Sequence, residues 1–117
     1  MVSLDEWEIN TDFIRCWLAS LPAQVVLRID GALVQLALQG PSLGRPLVDH
    51  VQGSRIHNLK ELRPLTNSRQ HIRILFVFTE QRSALMLAAG DKRGDWERWY
   101  DKAITEAEKN YDRYLNI

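Results

Sequence analysis

The stretch His71-Ile72-Arg73-Ile74-Leu75-Phe76-Val77-Phe78 decides how this chain folds. Side chains of a strand alternate between two faces, so Ile72, Ile74, Phe76 and Phe78 share one face. His71, Arg73, Leu75 and Val77 share the other. Downstream, Thr79 to Arg82 turns the chain, and Ala84 to Ala89 is an apolar run suited to a buried central strand. Upstream, Pro64 to Gln70 reads as a loop with Asn67 and Ser68 as turn formers, and Ile56 to Arg63 as a partner strand. Gln52-Gly53-Ser54 is a further turn after a short apolar strand, Leu47 to Val51. Strands joined by such short turns form an antiparallel meander.

Helical spacing flanks this meander. Asp5 to Ile9 reads as a short first strand. Thr11 or Asp12 can then cap a helix carrying Phe13, Ile14, Trp17, Leu18 and Leu21. Pro22 suits the first turn of a second helix, whose stripe is Val25, Val26, Ile29, Leu33, Leu36 and Ala37. Gly40-Pro41 stops it. Two helices joined so tightly predict an antiparallel hairpin. At the other end Asp95 is an N-cap candidate for a last helix, with Trp96, Trp99, Tyr100, Ala103, Ile104, Ala107, Tyr111 and Tyr114 along one broad side. The expected fold is α+β, in the order β-α-α-β-β-β-β-α, as one domain over residues 1–117. The helices are expected to cover one sheet face, Trp96 and Trp99 to anchor the last helix on it, and the opposite face to stay partly open.

Composition narrows the function classes. The 117 residues carry 15 Lys+Arg against 15 Asp+Glu, and 45% are hydrophobic, ordinary for a globular domain. No apolar run approaches the ~20 residues of a membrane-spanning helix, so no membrane association is expected. Met1 to Glu8 is acidic and lacks the basic-then-apolar pattern of a secretory leader. The single Cys16 cannot close an internal disulfide and reads as an inert core residue beside Trp17. A reducing, cytoplasmic setting is expected. No Cys/His cluster has metal-ligand spacing, so neither metal nor cofactor is expected. The charge is unevenly placed: residues 1–12 are acidic, whereas Arg45, Arg55, Lys60, Arg63, Arg69 and Arg73 face only Asp49 and Glu61 over residues 45–73. An anionic ligand would be met by a local site.

Parity locates that site. If Leu62 shares the buried face of Ile72 and Ile74, then Glu61, Arg63, His71 and Arg73 lie together on the other. Two guanidinium groups and an imidazole suit a phosphodiester or a carboxylate. The residues alone leave a second reading open, in which Arg63 pairs with Glu61 and the rest is a solvated face. The loop Gly90-Asp91-Lys92-Arg93-Gly94 adds basic side chains at the end of a strand, although it matches no phosphate-loop fingerprint.

Several short motifs, taken in order, resemble the RelE superfamily of bacterial toxins, in its HigB or phage-derived Gp49-like branch. The first is Gly40-Pro41-x-Leu43-Gly44-Arg45-Pro46-Leu47-Val48. The second is Gly53-Ser54-Arg55-x-His57-Asn58-Leu59-Lys60-Glu61-Leu62-Arg63. Ile72-Arg73-Ile74-Leu75-Phe76, Ala88-Ala89-Gly90-Asp91-Lys92 and Trp96 to Tyr100 complete the set, which runs over about residues 5–115. The resemblance implies a RelE-like twisted sheet. It also implies the toxin of a type II toxin–antitoxin module, an endoribonuclease that cleaves mRNA on the ribosome without metal through the substrate's own 2′-OH. A HigA-like helix-turn-helix antitoxin would neutralise it, and operator DNA would be reached only through that antitoxin.

By the same resemblance Arg73 matches the strand arginine that binds the scissile phosphate. Arg63 matches a second phosphate contact, and Lys92 the loop cation that stabilises the transition state, with Arg93 as substitute. Tyr100, or Trp99 in its place, matches the helix residue that assists proton transfer. Lys60, His71 and Glu61 complete the expected substrate-binding set with Arg93. The chain departs from RelE proper in having Leu59 and Glu61 where that family carries strand lysines, and in its zero net charge. Glu61 then stands either as a base or as an anchor for Arg63. A rival class is a catalytically silent RelE-fold module that partners a helix-turn-helix DNA-binding protein and modulates transcription. An unrelated small metabolite enzyme lacks any pocket motif.

Overall fold

The computed structural model describes residues 6–64 and 69–116; Asp5 of the expected first strand and the turn formers Asn67 and Ser68 lie outside them. Strand β4 (Ile72–Phe78) pairs antiparallel on one side with β5 (Ser83–Asp91) and on the other with β3 (Lys60–Leu62), which pairs with β2 (Val48–His50). Strand β1 (Glu8–Asn10) adds to the free edge of β5 in parallel, giving the order β1-β5-β4-β3-β2. Helices α1 (Arg15–Ala19), α2 (Ala23–Gln39) and α3 (Trp96–Leu115) complete the expected order. None of the helices among the described residues is long and apolar enough to cross a membrane.

The two faces of β4 read from its alternation are both cores. Ile72, Ile74 and Phe76 pack with Val25, Ile29, Leu33 and Leu36 of α2, whereas Leu75 and Val77 pack with Ala103 and Ala107 of α3. Helices therefore cover both faces, correcting the one-sided expectation. Leu75 and Val77 are as apolar as Phe76, and a strand buried on both sides needs a layer on each. The α3 face opens at both ends: over Val77, Tyr111 and Tyr114 at one, and where β4 begins and β5 ends at the other, which is the end that gathers the charged residues.

Three local readings change. The strand expected over Ile56 to Arg63 forms only at Lys60–Leu62. Ahead of it, Ser54 Oγ and the Arg55 amide donate to Glu108 of α3 at 2.8 and 3.0 Å, and Asn58 turns the chain at φ 60°. The Arg55 amide is thus taken by the helix, and the positive φ at Asn58 breaks the extended backbone ahead of Lys60. Cys16 is exposed, not buried: Ile14, just ahead of α1, and Trp17 and Leu18 within it turn inward instead. Trp96 is 54% exposed, and Trp99 alone of the two anchors the helix.

Two glycines and one bulge position α3 and the strand ends. A Cβ on Gly40, at φ +57°, would lie 2.4 Å from the Trp7 indole nitrogen. A Cβ on Gly90 would lie 2.6 Å from that of Trp99, so glycine lets the α3 indole close directly onto β5. The register of β4 on β5 runs Leu75↔Ala88 and then Phe76↔Met86, leaving Leu87 as an extra residue. Its carbonyl accepts the buried Asn110 amide of α3 at 2.8 Å.

Candidate functional site

The bulge decides which cations meet. Leu85, Leu87 and Ala88 all face α3, whereas Ala84, Met86 and Ala89 face α2. Strict alternation would send Ala89 and Asp91 to the α3 side; the extra residue exchanges the faces beyond it. Gly90 then meets Trp99, and Lys92, whose amide continues the ladder to the His71 carbonyl at 3.0 Å, turns toward Tyr100 of α3. Arg73 sits opposite Gly90 in the register of β4 on β5.

Parity holds on the other side of β4. Leu62 pairs with Ile74 on the α2 face, so Glu61 falls on the α3 face, directly opposite Asp49 of β2. Like charges opposite one another repel. Arg63 resolves this, its Nη2 reaching Glu61 Oε2 at 2.8 Å and Asp49 Oδ2 at 3.1 Å, with Nε on Glu61 Oε2 at 3.0 Å. Arg45 closes on Asp49 at 3.1 Å.

Glu61 is the hub. It is 3% exposed, and its second oxygen accepts the Tyr100 hydroxyl at 2.5 Å. Lys92 Nζ stands 3.5 Å from that hydroxyl. Arg73 Nε is buried without a hydrogen-bond partner among the described residues, 3.9 Å from Glu61 Oε1, while its Nη1 donates to the Ile72 carbonyl at 2.8 Å. Thus Arg63, Arg73, Lys92, Tyr100 and Glu61 come together at one end of the α3 face.

Their protonation follows from this crowding. Burial, the Glu61 hydrogen bond and the Glu61 charge push the Tyr100 phenol far above its ordinary value, so it stays neutral and keeps its proton. Burial and then the Arg73 charge lower the Lys92 ammonium, making it a readier proton donor. Burial works against the charge of Arg63, but the Glu61 bond and the charges of Glu61 and Asp49 outweigh it and raise its pKa. The His50 amide, with Arg45 and Arg63, holds Asp49 below the usual carboxylate range.

The other expected substrate contacts divide. Lys60, of opposite parity, lies 5.6 Å over the Phe78 ring, away from the cluster. His71 is exposed beside Lys92 and Arg93 in a concavity of about 320 Å³. Arg93 is turned aside, donating to the Arg69 carbonyl at 2.6 Å. A second concavity of about 460 Å³ is lined by Glu61, Tyr100, Ile104 and the His50–Gly53 segment. Asp49 and Arg45 were not foreseen as part of the cluster; the short β2 strand, with Asp49 at its centre, carried the signal. Of the two residues expected to fill the helix position, Tyr100 reaches the cluster, and Trp99 packs on Gly90.

The family described as Phage derived protein Gp49-like (DUF891) matches residues 16–112. The chain is 43% identical over 109 residues to a protein of Mycobacterium tuberculosis (strain ATCC 25618 / H37Rv) named "Putative toxin HigB2", covering 93% of this chain and 54% of that one. It is 44% identical over 99 residues to another from the same organism, named "Putative toxin HigB3", covering 85% and 84%. It thus spans about half the length of the first relative and most of the second. With the family match running over residues 16–112 and two relatives more than 40% identical, this chain belongs to the phage-derived Gp49-like family.

Proposed function

We propose that the protein is the toxin of a type II toxin–antitoxin module, a cytoplasmic, ribosome-dependent mRNA endonuclease neutralised by a HigA-like helix-turn-helix antitoxin. Single-domain action over the whole chain is part of this reading. The observation that carries it is the convergence of three cations and a neutral phenol around one buried carboxylate, bordered by two open concavities. The names of the two Mycobacterium relatives support the toxin assignment.

In this reading the scissile phosphate lies against Arg73, with Arg63 and Lys92 around it. The 2′-OH gives its proton to Tyr100 Oη as Tyr100 passes its own to Glu61 Oε1. The 2′-oxygen bonds phosphorus, the bond to the 5′-oxygen breaks, and Lys92 protonates the departing oxygen. The products are a 2′,3′-cyclic phosphate and a 5′-OH. Preorganised cations stabilise the dianionic intermediate, and losing one such donor costs about 10²- to 10³-fold in rate. Glu61 Oε1 takes the Tyr100 proton along the hydrogen bond it already accepts from Tyr100, while Oε2 keeps Arg63 in place.

Induced expression in a bacterium is expected to stop growth, with cuts in translated mRNAs visible by primer extension; Arg73→Ala restores growth while the protein stays folded. One observation favours the rival reading of a silent binding module: Arg63 is held between two carboxylates, and the Arg73 side chain is only 16% exposed. Normal growth with abundant folded wild-type protein would select that rival.

A further inference from the structure

Trp96 is the large aromatic that the fold does not use. Its neighbour Trp99 is packed against Gly90, but Trp96 stays 54% exposed at the first position of α3. Its indole is nevertheless held. It stands edge-on to the Tyr100 ring, with centroids 6.2 Å apart at 87°, and Lys92 Nζ lies 5.7 Å from its centroid. Trp96 also lines both concavities that border the cluster, one with Glu61 and Tyr100, the other with His71 and Lys92.

We propose that Trp96 is the stacking platform for an unpaired RNA base next to the phosphate at Arg63, Arg73 and Lys92, an assignment that rests on the nuclease reading. Lys92 joins the two functions: the same ammonium is within 3.5 Å of the Tyr100 hydroxyl and over the indole. A nucleotide whose phosphate is met by Lys92 therefore places its base within reach of the ring. An indole already held by Tyr100 and Lys92 loses little freedom when a base covers its exposed surface. Bases in a duplex have their faces covered by neighbours, so the ligand is single-stranded RNA. Stacking tolerates every base but favours those with larger ring systems, which makes Trp96 a source of sequence preference beside the cut.

The test is cleavage of a defined mRNA in a purified translation system, read by primer extension over a range of protein concentrations. Trp96→Ala is expected to raise the concentration needed for half-maximal cleavage by about fivefold to a hundredfold, the worth of one base–aromatic stack. The effect falls more on concentration dependence than on the saturating rate, and the base profile beside the cut flattens. Trp96→Phe recovers most of both, and thermal melts confirm that each variant is folded. Unchanged concentration dependence and profile in Trp96→Ala, with Arg73→Ala inactive, would overturn the stacking role and leave the nuclease reading intact. Loss of antitoxin neutralisation with cleavage untouched would assign the indole to the antitoxin interface and overturn it equally. No cleavage by wild-type protein would remove the nuclease reading itself, and the platform with it.

Discussion

Replacing Glu61 by Gln removes the charge at the hub while keeping its shape. The carboxylate accepts two hydrogen bonds from Arg63 and one from Tyr100, and it is 3% exposed. Glutamine offers one uncharged carbonyl oxygen: directed at Arg63 it leaves an N–H that the Tyr100 hydroxyl can accept, and directed at Tyr100 it turns that N–H against Arg63, which has no acceptor. A hydrogen bond to a charged group contributes about 1.5–3 kcal/mol. Two such bonds to Arg63 are weakened, but Arg63 is a third exposed and retains Asp49 at 3.1 Å, so solvent and that partner offset part of the loss. Arg63, Arg73 and Lys92 also face one another with less compensation. The expected cost is about 2–4 kcal/mol, below the 3–5 kcal/mol typical of breaking a fully buried pair. In urea unfolding followed by tryptophan fluorescence, at a slope of about 2 kcal/mol per M, the midpoint falls by roughly 1–2 M with the slope unchanged. A cycle combining Glu61→Gln with Tyr100→Phe should show coupling above about 1 kcal/mol, since the two share one bond. A midpoint within about 0.3 M of wild type, or additive single effects, would refute the hub and mean that the cations are satisfied independently of Glu61.

Asn110→Ala strands the Leu87 carbonyl at the bulge and is expected to cost about 1–3 kcal/mol, measured by denaturant midpoint; a neutral result would mean that the bulge does not depend on α3. Gly90→Ala forces the Trp99 indole away from β5 and should cost about 1–3 kcal/mol, with a changed near-ultraviolet circular dichroism signal reporting the displaced ring. The Arg55 amide and Ser54 hydroxyl hold Glu108 below its ordinary value of 4.5, so its contribution is present above that pH and lost as pH falls through the lower folded value. Glu108→Gln should accordingly lower the melting temperature near neutrality and converge on wild type in acid; a constant difference across pH 3–7 would contradict this linkage.

Much of this architecture was legible along the chain. Alternation over Ile72 to Phe78 identified both faces of the central strand, and the same parity grouped Glu61, Arg63 and Arg73 before any partner was known. The Gly40-Pro41 stop and the Asp95 cap bounded α2 and α3 as expected. The readings that failed depended on remote contacts. Ile56 to Leu59 has strand composition, but Glu108, more than fifty residues away, takes its flanking groups. Trp96 and Trp99 have the same spacing signal, yet only the second meets a glycine.

Periodicity is a short-range property: it assigns side chains to faces as long as each residue advances the strand by one step, and that sufficed for the Glu61, Arg63 and Arg73 group. An inserted residue breaks that count without any local mark, because nothing in Leu87 or Ala88 distinguishes a bulge from regular strand. The face that receives Lys92 was therefore settled only when β4 and Asn110 fixed the register of β5. The capture of Arg63 between Glu61 and Asp49 was likewise settled only when β2 came alongside. Those long-range pairings, which local pattern does not encode, are what turn a row of separate charges into one site.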